Sequence, residues 1–334
     1  MRAVVFAGNG VMSMEDRPTP QVRLPDDVLI AVEACGFCGT DVQILNVPPG
    51  HPATAGTIMG HEFVGRVEAV GPAADPALVG TRVIVDPDPK CGACPSCRAG
   101  RPATCSNVVA LGIFRDGALA SHVVAPASAC HPIGDHVPSE IAALVEPLAC
   151  VMNGTQRAAV RPGESAVVFG AGAIGCLFTA VLAASGARPV IVVEPRKERA
   201  PVALALGATA VVTPDELEAR RAELLPFGAD VVVDAVGSVL AQAMDIAAQS
   251  GRLVIFGMNS NARPPIHQVE ITEKGLTIFG SYITDFTFPP AIRFVESGLM
   301  DLRPMISAIM TLDQTPDGIA LLRAGTATKV VIKP

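Results

Sequence analysis

The stretch Ala166 to Ala184, AVVFGAGAIGCLFTAVLAA, has no charged residue over a length that could cross a bilayer, yet glycines divide it into two unlike parts. AVVF reads as a buried strand and CLFTAVLAA as a buried helix, the opening of a doubly wound α/β unit and not a membrane span. Between them Gly170-Ala171-Gly172-Ala173-Ile174-Gly175 matches G-x-G-x-x-G. Such spacing also occurs in ordinary tight turns. Set between a strand and a helix, the first glycine makes the turn, the second admits a pyrophosphate and the third lets helix and strand pack closely, while the helix N-terminus offers free N–H groups to phosphate.

Glu194 ends the next apolar run, nineteen residues after Gly175, where an acid hydrogen-bonds the ribose hydroxyls of a dinucleotide and repels a 2′-phosphate. NAD is therefore expected over NADP, although Arg196 and Arg199 stand close enough in sequence to receive a phosphate. The plain alternative for Glu194 is a solvated strand-end acid. The cofactor-binding set expected is Gly170, Gly172, Ala173, Ile174, Gly175, Glu194 and Arg199.

From about Pro162 apolar runs alternate with helical stretches: Ser165 to Phe169, Val190 to Val193 with a helix from Lys197 to Leu206, Ala210 to Val212, Val231 to Val233 with a helix from Ser238 to Ala248, then Leu253 to Phe256 and Leu276 to Phe279. Six strands with crossover helices make a parallel doubly wound sheet. The first 140 or so residues are instead rich in Gly, Pro and short strand candidates such as Val28 to Val32, Phe63 to Val70 and Arg82 to Val85, a mainly β domain. After Gly280 the rhythm stops, and the strand-like KVVIK of Lys329 to Lys333 is expected to return to that first domain.

At 334 residues the chain has room for two domains of about 150 residues each. Its net charge of −7, without any Lys/Arg block, argues against nucleic acid or an anionic membrane as partner. The N-terminal apolar run stops at Gly8, too short for a signal peptide, so a cytoplasmic protein is expected.

Nine cysteines at uneven spacing do not make a disulfide framework. Cys91, Cys94, Cys97 and Cys105 form C-x2-C-x2-C-x7-C, suited to a closed tetrahedral zinc site that holds a loop folded. Iron–sulfur ligation is the rival, but ferredoxins close with x3 and a proline after the last cysteine, and here Ser106 follows Cys105. Cys38 in CGFCGTD, His61 and Glu62 in GHEFVG, and Glu146 in VEPLAC are scattered; together they offer a thiolate, an imidazole and carboxylates, a zinc set that keeps one position open.

CGFCGTD, GHEFVG, the four-cysteine lobe, VEPLAC and GAGAIG stand in the order found in zinc-dependent medium-chain alcohol dehydrogenases, which the chain resembles over essentially its whole length. The Glu of the EPL segment is more like the polyol, sorbitol and threonine dehydrogenase branch than the liver-type enzymes. The resemblance implies a GroES-like catalytic domain (1–147, with the zinc lobe at about 90–106, and 284–334) split around a six-stranded Rossmann domain (148–283). It implies Cys38, His61 and Glu146 as ligands of a catalytic zinc, with Glu62 either ligating directly or supporting His61, and Cys150 as a competitor for the third place. Thr40 would bond the substrate oxygen and Asp41 orient the site. The family's relay histidine is replaced by Gln43; an amide takes no proton, so the relay is expected to end in water or Glu62, with His51 a substitute. Phe114, Arg115 and Tyr282 are substrate candidates on the same ground. Two zinc ions per chain, a small alcohol or ketone substrate and a homo-oligomer, dimer or tetramer, complete the expectation. The rivals are a zinc-free quinone or enoyl reductase and a non-enzymatic zinc module.

Overall fold

The computed structural model describes residues 1–334, and the chain divides into two compact units. One comprises Met1–Glu146, Phe288–Gly298 and Ile306–Pro334; the other comprises Pro147–Thr287 and Leu299–Met305. No helix is long and apolar enough to cross a membrane.

In the second unit, Ala166–Phe169 and Val190–Val193 are buried at every residue, as strands covered on both faces must be. They belong to a six-stranded sheet in the order Ala210–Val212, Val190–Val193, Ala166–Phe169, Ala229–Asp234, Ala247–Ile255, Thr277–Gly280, with every pairing parallel. The order reverses beside Ala166–Phe169, whose carboxyl end runs into Gly170; that is the switch point at which such sheets take their ligand. The helix expected from Ser238 to Ala248 closes at Ile246, because Ala247 already pairs with Ala229 and the chain continues as strand to Ile255. The expected helix from Lys197 opens as a 3-10 turn, Lys197–Arg199, and becomes α-helical over Ala200–Ala205 with Pro201 in its first turn.

The first unit is built on a seven-stranded sheet whose long central strand, Asp27–Gly36, pairs antiparallel with Glu62–Val70 along its length. On its other side it meets two partners in turn: His122–Pro126 near its start and Lys329–Ile332 at its end. The tail therefore adds a strand to this sheet, with Ile306–Met310 beyond it in parallel. Val28, Ile30, Phe63, Val83 and Val330 are fully buried against this sheet.

Candidate active site and its metal clusters

Register assembles the buried cluster. Gly36 lies opposite Glu62 and Val331 opposite Gly36, so the ends of three strands deliver Cys38, the His61–Glu62 pair and Lys329 to one place. Just beyond Gly36 the chain turns into the short helix Gly39–Ile44, fixed by Asp41 Oδ2 accepting from the Cys38 N–H at 2.8 Å. Gly60 turns the chain into His61 at φ +94, where a Cβ would strike Cys35 Sγ and the Leu119 amide at 2.7 and 2.9 Å; only glycine fits.

The donor atoms of Cys38, His61 and Glu62 all lie within 4.8 Å of one another. His61 and Glu62 are buried at 5% and 1% exposure. Two further atoms show that the arrangement suits a metal. His61 Nδ1 and Asp41 Oδ1 face each other at 3.7 Å, and neither has a hydrogen-bond partner. A metal-binding histidine commonly gives its other ring N–H to a carboxylate, and Asp41 is placed for that role, leaving Nε2 as donor. Burial opposes a charge on His61, but Asp41, Cys38 and Glu146 together outweigh it and raise its pKa well above the usual value in the metal-free chain. A bound cation would supply the positive charge these groups call for.

Glu146 opens the helix Val145–Ala158 and is itself buried, but its carboxylate is not in the group of three. Burial, then the nearby Glu62, pushes its pKa up to about 8, so it belongs to the same electrostatic neighbourhood. Cys150, one turn along, is buried on the same helix. Thr40 is half-buried on the helix after Cys38.

Sequence reasoning missed Lys329. It is 1% exposed, pairs with Glu62 and donates to the Phe37 carbonyl at 3.0 Å. Burial works against its charge, but Glu62 and Cys38 hold its pKa above the ordinary lysine value. A lysine at the head of an otherwise apolar strand, KVVI, was the only sign of it.

The four-cysteine lobe is open to solvent by contrast. Cys91, Cys94, Cys97 and Cys105 bring their sulfurs within 4.8 Å of one another. Backbone N–H groups of Cys94 and Cys97 point at the Cys91 and Cys94 sulfurs at 3.3 and 3.4 Å. The Cys97 N–H, chiefly, lowers the Cys94 thiol to about 6, which favours the thiolate a metal needs. All nine cysteines are free of disulfides.

In the second unit the glycine loop has the shape of a nucleotide cradle. A Cβ on Gly175 would meet the Gly170 carbonyl oxygen at 1.8 Å, whereas one on Gly172 would meet nothing within 4 Å; the first position needs glycine for packing and the second leaves room for a ligand. Ala173 and Ile174 open the helix Ala173–Ala184. Glu194 is buried and accepts from the Ala171 N–H at 2.7 Å and the Arg196 N–H at 3.0 Å, with Arg199 Nη1 at 3.5 Å. The strand-end acid is thus no solvated residue; it ties the glycine loop to the next strand.

Of the substrate candidates, Phe114 is 38% exposed with its ring 6.4 Å from that of His51. Arg115 is half-buried in the same loop. Tyr282 follows the last parallel strand in the other unit, half-exposed, its carbonyl accepting from Asn153.

Residues 24–135 match the family described as "Alcohol dehydrogenase GroES-like domain" and residues 173–297 the family described as "Zinc-binding dehydrogenase". The chain is 33% identical to an L-threonine 3-dehydrogenase of Anaeromyxobacter dehalogenans, covering 99% of this chain and 98% of that one. It is 35% identical to a D-altritol 5-dehydrogenase of Agrobacterium fabrum, covering 89% and 88%. A zinc-binding dehydrogenase of Sinorhizobium meliloti, solved bound to NADP, superimposes with a TM-score of 0.94 at 33% identity over 100% and 99% of the two chains.

Proposed function

Because the chain belongs to the zinc-dependent medium-chain dehydrogenases, in the polyol and threonine dehydrogenase branch, and is an NAD(P)-dependent alcohol oxidoreductase, we propose that it oxidises a secondary alcohol of a polyol, sugar alcohol or cyclitol with NAD and reduces the ketone in reverse. The observation that carries this is the convergence of the Cys38, His61 and Glu62 donor atoms within 4.8 Å, with the buried Glu146 in the same electrostatic neighbourhood.

Cys38, His61 and Glu146 would hold a catalytic zinc, with Glu62 held back by Lys329, and the four-cysteine lobe would hold a structural one. Bound zinc supplies Lewis acidity: it lowers the pKa of water from about 16 to about 7 and acts in the same sense on an alcohol. Thr40 takes the substrate hydroxyl proton, Asp41 fixes the His61 ring, and Gln43 cannot pass a proton on, so it leaves to water or Glu62. Gly170, Gly172, Gly175 and the helix start at Ala173 and Ile174 hold the cofactor phosphates, and Glu194 with Arg199 the ribose. Glu194 is a carboxylate where a 2′-phosphate would sit, which supports NAD over NADP. Phe114 and Arg115, in one loop of the first unit, would contact substrate. The catalytic domain is formed by 1–147 and 284–334 and the nucleotide domain by 148–283. The strand Thr277–Gly280, paired on one side only, is the edge through which copies associate as dimer or tetramer.

A screen of polyols, cyclitols, threonine and simple secondary alcohols with NAD and then NADP tests the reading. Turnover is expected on a polyol with NAD at close to two zinc per chain; none on any of these with both zincs bound defeats it. Turnover confined to threonine transfers the chain to the amino-alcohol reading.

A further inference from the structure

We propose that Arg323 is a positioning residue: its guanidinium closes the far end of the helix Gly39–Ile44 and so fixes where Cys38 and Thr40 stand in the buried cluster. This rests on the site being that of a zinc-dependent alcohol dehydrogenase, but concerns a residue of the returning tail to which that reading gives no part.

The helix Gly39–Ile44 has six residues and no basic residue in its last turn. A helix so short is marginal by itself, because its closing carbonyls lack donors within the helix and carry the negative end of its dipole. Its first end is secured by Asp41 Oδ2, which accepts from the Cys38 N–H at 2.8 Å. At the other end the Leu45 carbonyl accepts from Arg323 Nη2 at 2.6 Å, across 278 positions of the chain. Leu45 is 4% exposed, and a Cβ on Gly10 would stand 2.9 Å from the same carbonyl oxygen, so the turn at Gly10 packs against it. An acceptor enclosed in this way is costly to leave without a donor, and a guanidinium makes one of the stronger bonds to it.

Arg323 is itself held in place. It stands in the last turn of the helix Thr315–Ala324, which Gly325 ends at φ +70. That helix lies close because Gly318 has no side chain: a Cβ there would meet Val330 at 3.1 Å and the Phe37 ring at 3.2 Å. Further along the tail, Lys329 Nζ donates to the Phe37 carbonyl at 3.0 Å. The tail therefore grips the segment 37–45 at both ends, and Cys38, Thr40 and Asp41 lie between the two grips. Lys329 also pairs with Glu62, so its removal disturbs the cluster directly. Arg323 reaches the cluster through the helix alone, which makes it the cleaner probe of position.

The test reads the metal and not turnover. The zinc-loaded chain is challenged with a chelator, and loss of the ion from each cluster is followed by the alkylation rate of a cysteine in it: the half-buried Cys38 for one and the exposed Cys91 for the lobe. In Arg323→Met the ion beside Cys38 is expected to leave about tenfold faster while the lobe is unchanged. Arg323→Lys, which keeps a cationic donor for the Leu45 carbonyl, is expected to reverse most of the change. An unchanged rate at Cys38 in Arg323→Met overturns the proposal. Equal acceleration at Cys38 and Cys91 also overturns it, since that reports a general loosening, and so does an Arg323→Lys chain that loses the ion as fast as Arg323→Met. If the wild-type chain keeps no ion at the buried cluster, the functional reading fails on its own. Alkylation of the metal-free chain then decides Arg323: a faster reaction at Cys38 alone in Arg323→Met supports the proposal, and an unchanged ratio of Cys38 to Cys91 overturns it.

Discussion

The two candidate metal clusters use sulfur in opposite ways. The lobe gathers four cysteines from fifteen consecutive residues, is largely open to solvent, and directs its own backbone N–H groups at two of their sulfurs. The buried cluster draws one cysteine, one histidine and carboxylates from distant parts of the chain, and two of them face a side chain of opposite sign: Asp41 for His61, Lys329 for Glu62. Four protein thiolates close a tetrahedron, whereas the mixed set leaves room for a further ligand. On the proposed function, the first arrangement would organise a loop and the second would act on a substrate.

Substitutions that separate chemistry from support sharpen this contrast. Cys38→Ser should lower kcat/KM about a thousandfold while the melting transition stays close to wild type, since the lost Lewis acidity is worth several kcal/mol of barrier. Steady-state kinetics beside calorimetry checks it, and a loss below about tenfold breaks the contrast. Lys329→Met leaves Glu62 as a buried charge without its partner and should destabilise the chain by about 3–5 kcal/mol in denaturant unfolding. Adding Glu62→Gln should return much of that; no recovery would show that Lys329 serves packing alone. Cys94→Ser should have the smallest effect on turnover, within about threefold at temperatures where the fold holds, but should cost one zinc and expose 91–105 to protease. If it abolishes activity with the other zinc retained, the lobe is no mere support.

The amino-acid sequence showed the doubly wound sheet clearly, because each strand is followed by its own helix and the apolar rhythm is local. It showed the lobe for the same reason: four ligands within fifteen residues need no partner from elsewhere. The helix boundary at Ile246 was hidden because Ala247 is a strand residue only by virtue of its pairing with Ala229. Lys329 was hidden more deeply. What makes Lys329 notable is burial next to Glu62, which follows from an antiparallel register joining positions 331 and 36 and not from any pattern around 329. The GHEFVG and CGFCGTD segments were recognisable, but their meeting depends on Gly36 standing opposite Glu62.

The pairing of Lys329 with Glu62 spans 267 positions, and the doubly wound unit is made in between. At a ribosomal pace of about 5–20 residues per second, Glu62 leaves the tunnel roughly ten to fifty seconds before its counter-ion exists. During that interval the acid beside the cysteine and histidine must stay hydrated, and the hollow around it cannot close. Completion of the Glu62–Lys329 pair is thus a late event in biogenesis, and on the proposed function a nascent chain stalled before position 329 would capture an ion on the lobe well before the interior is ready for one.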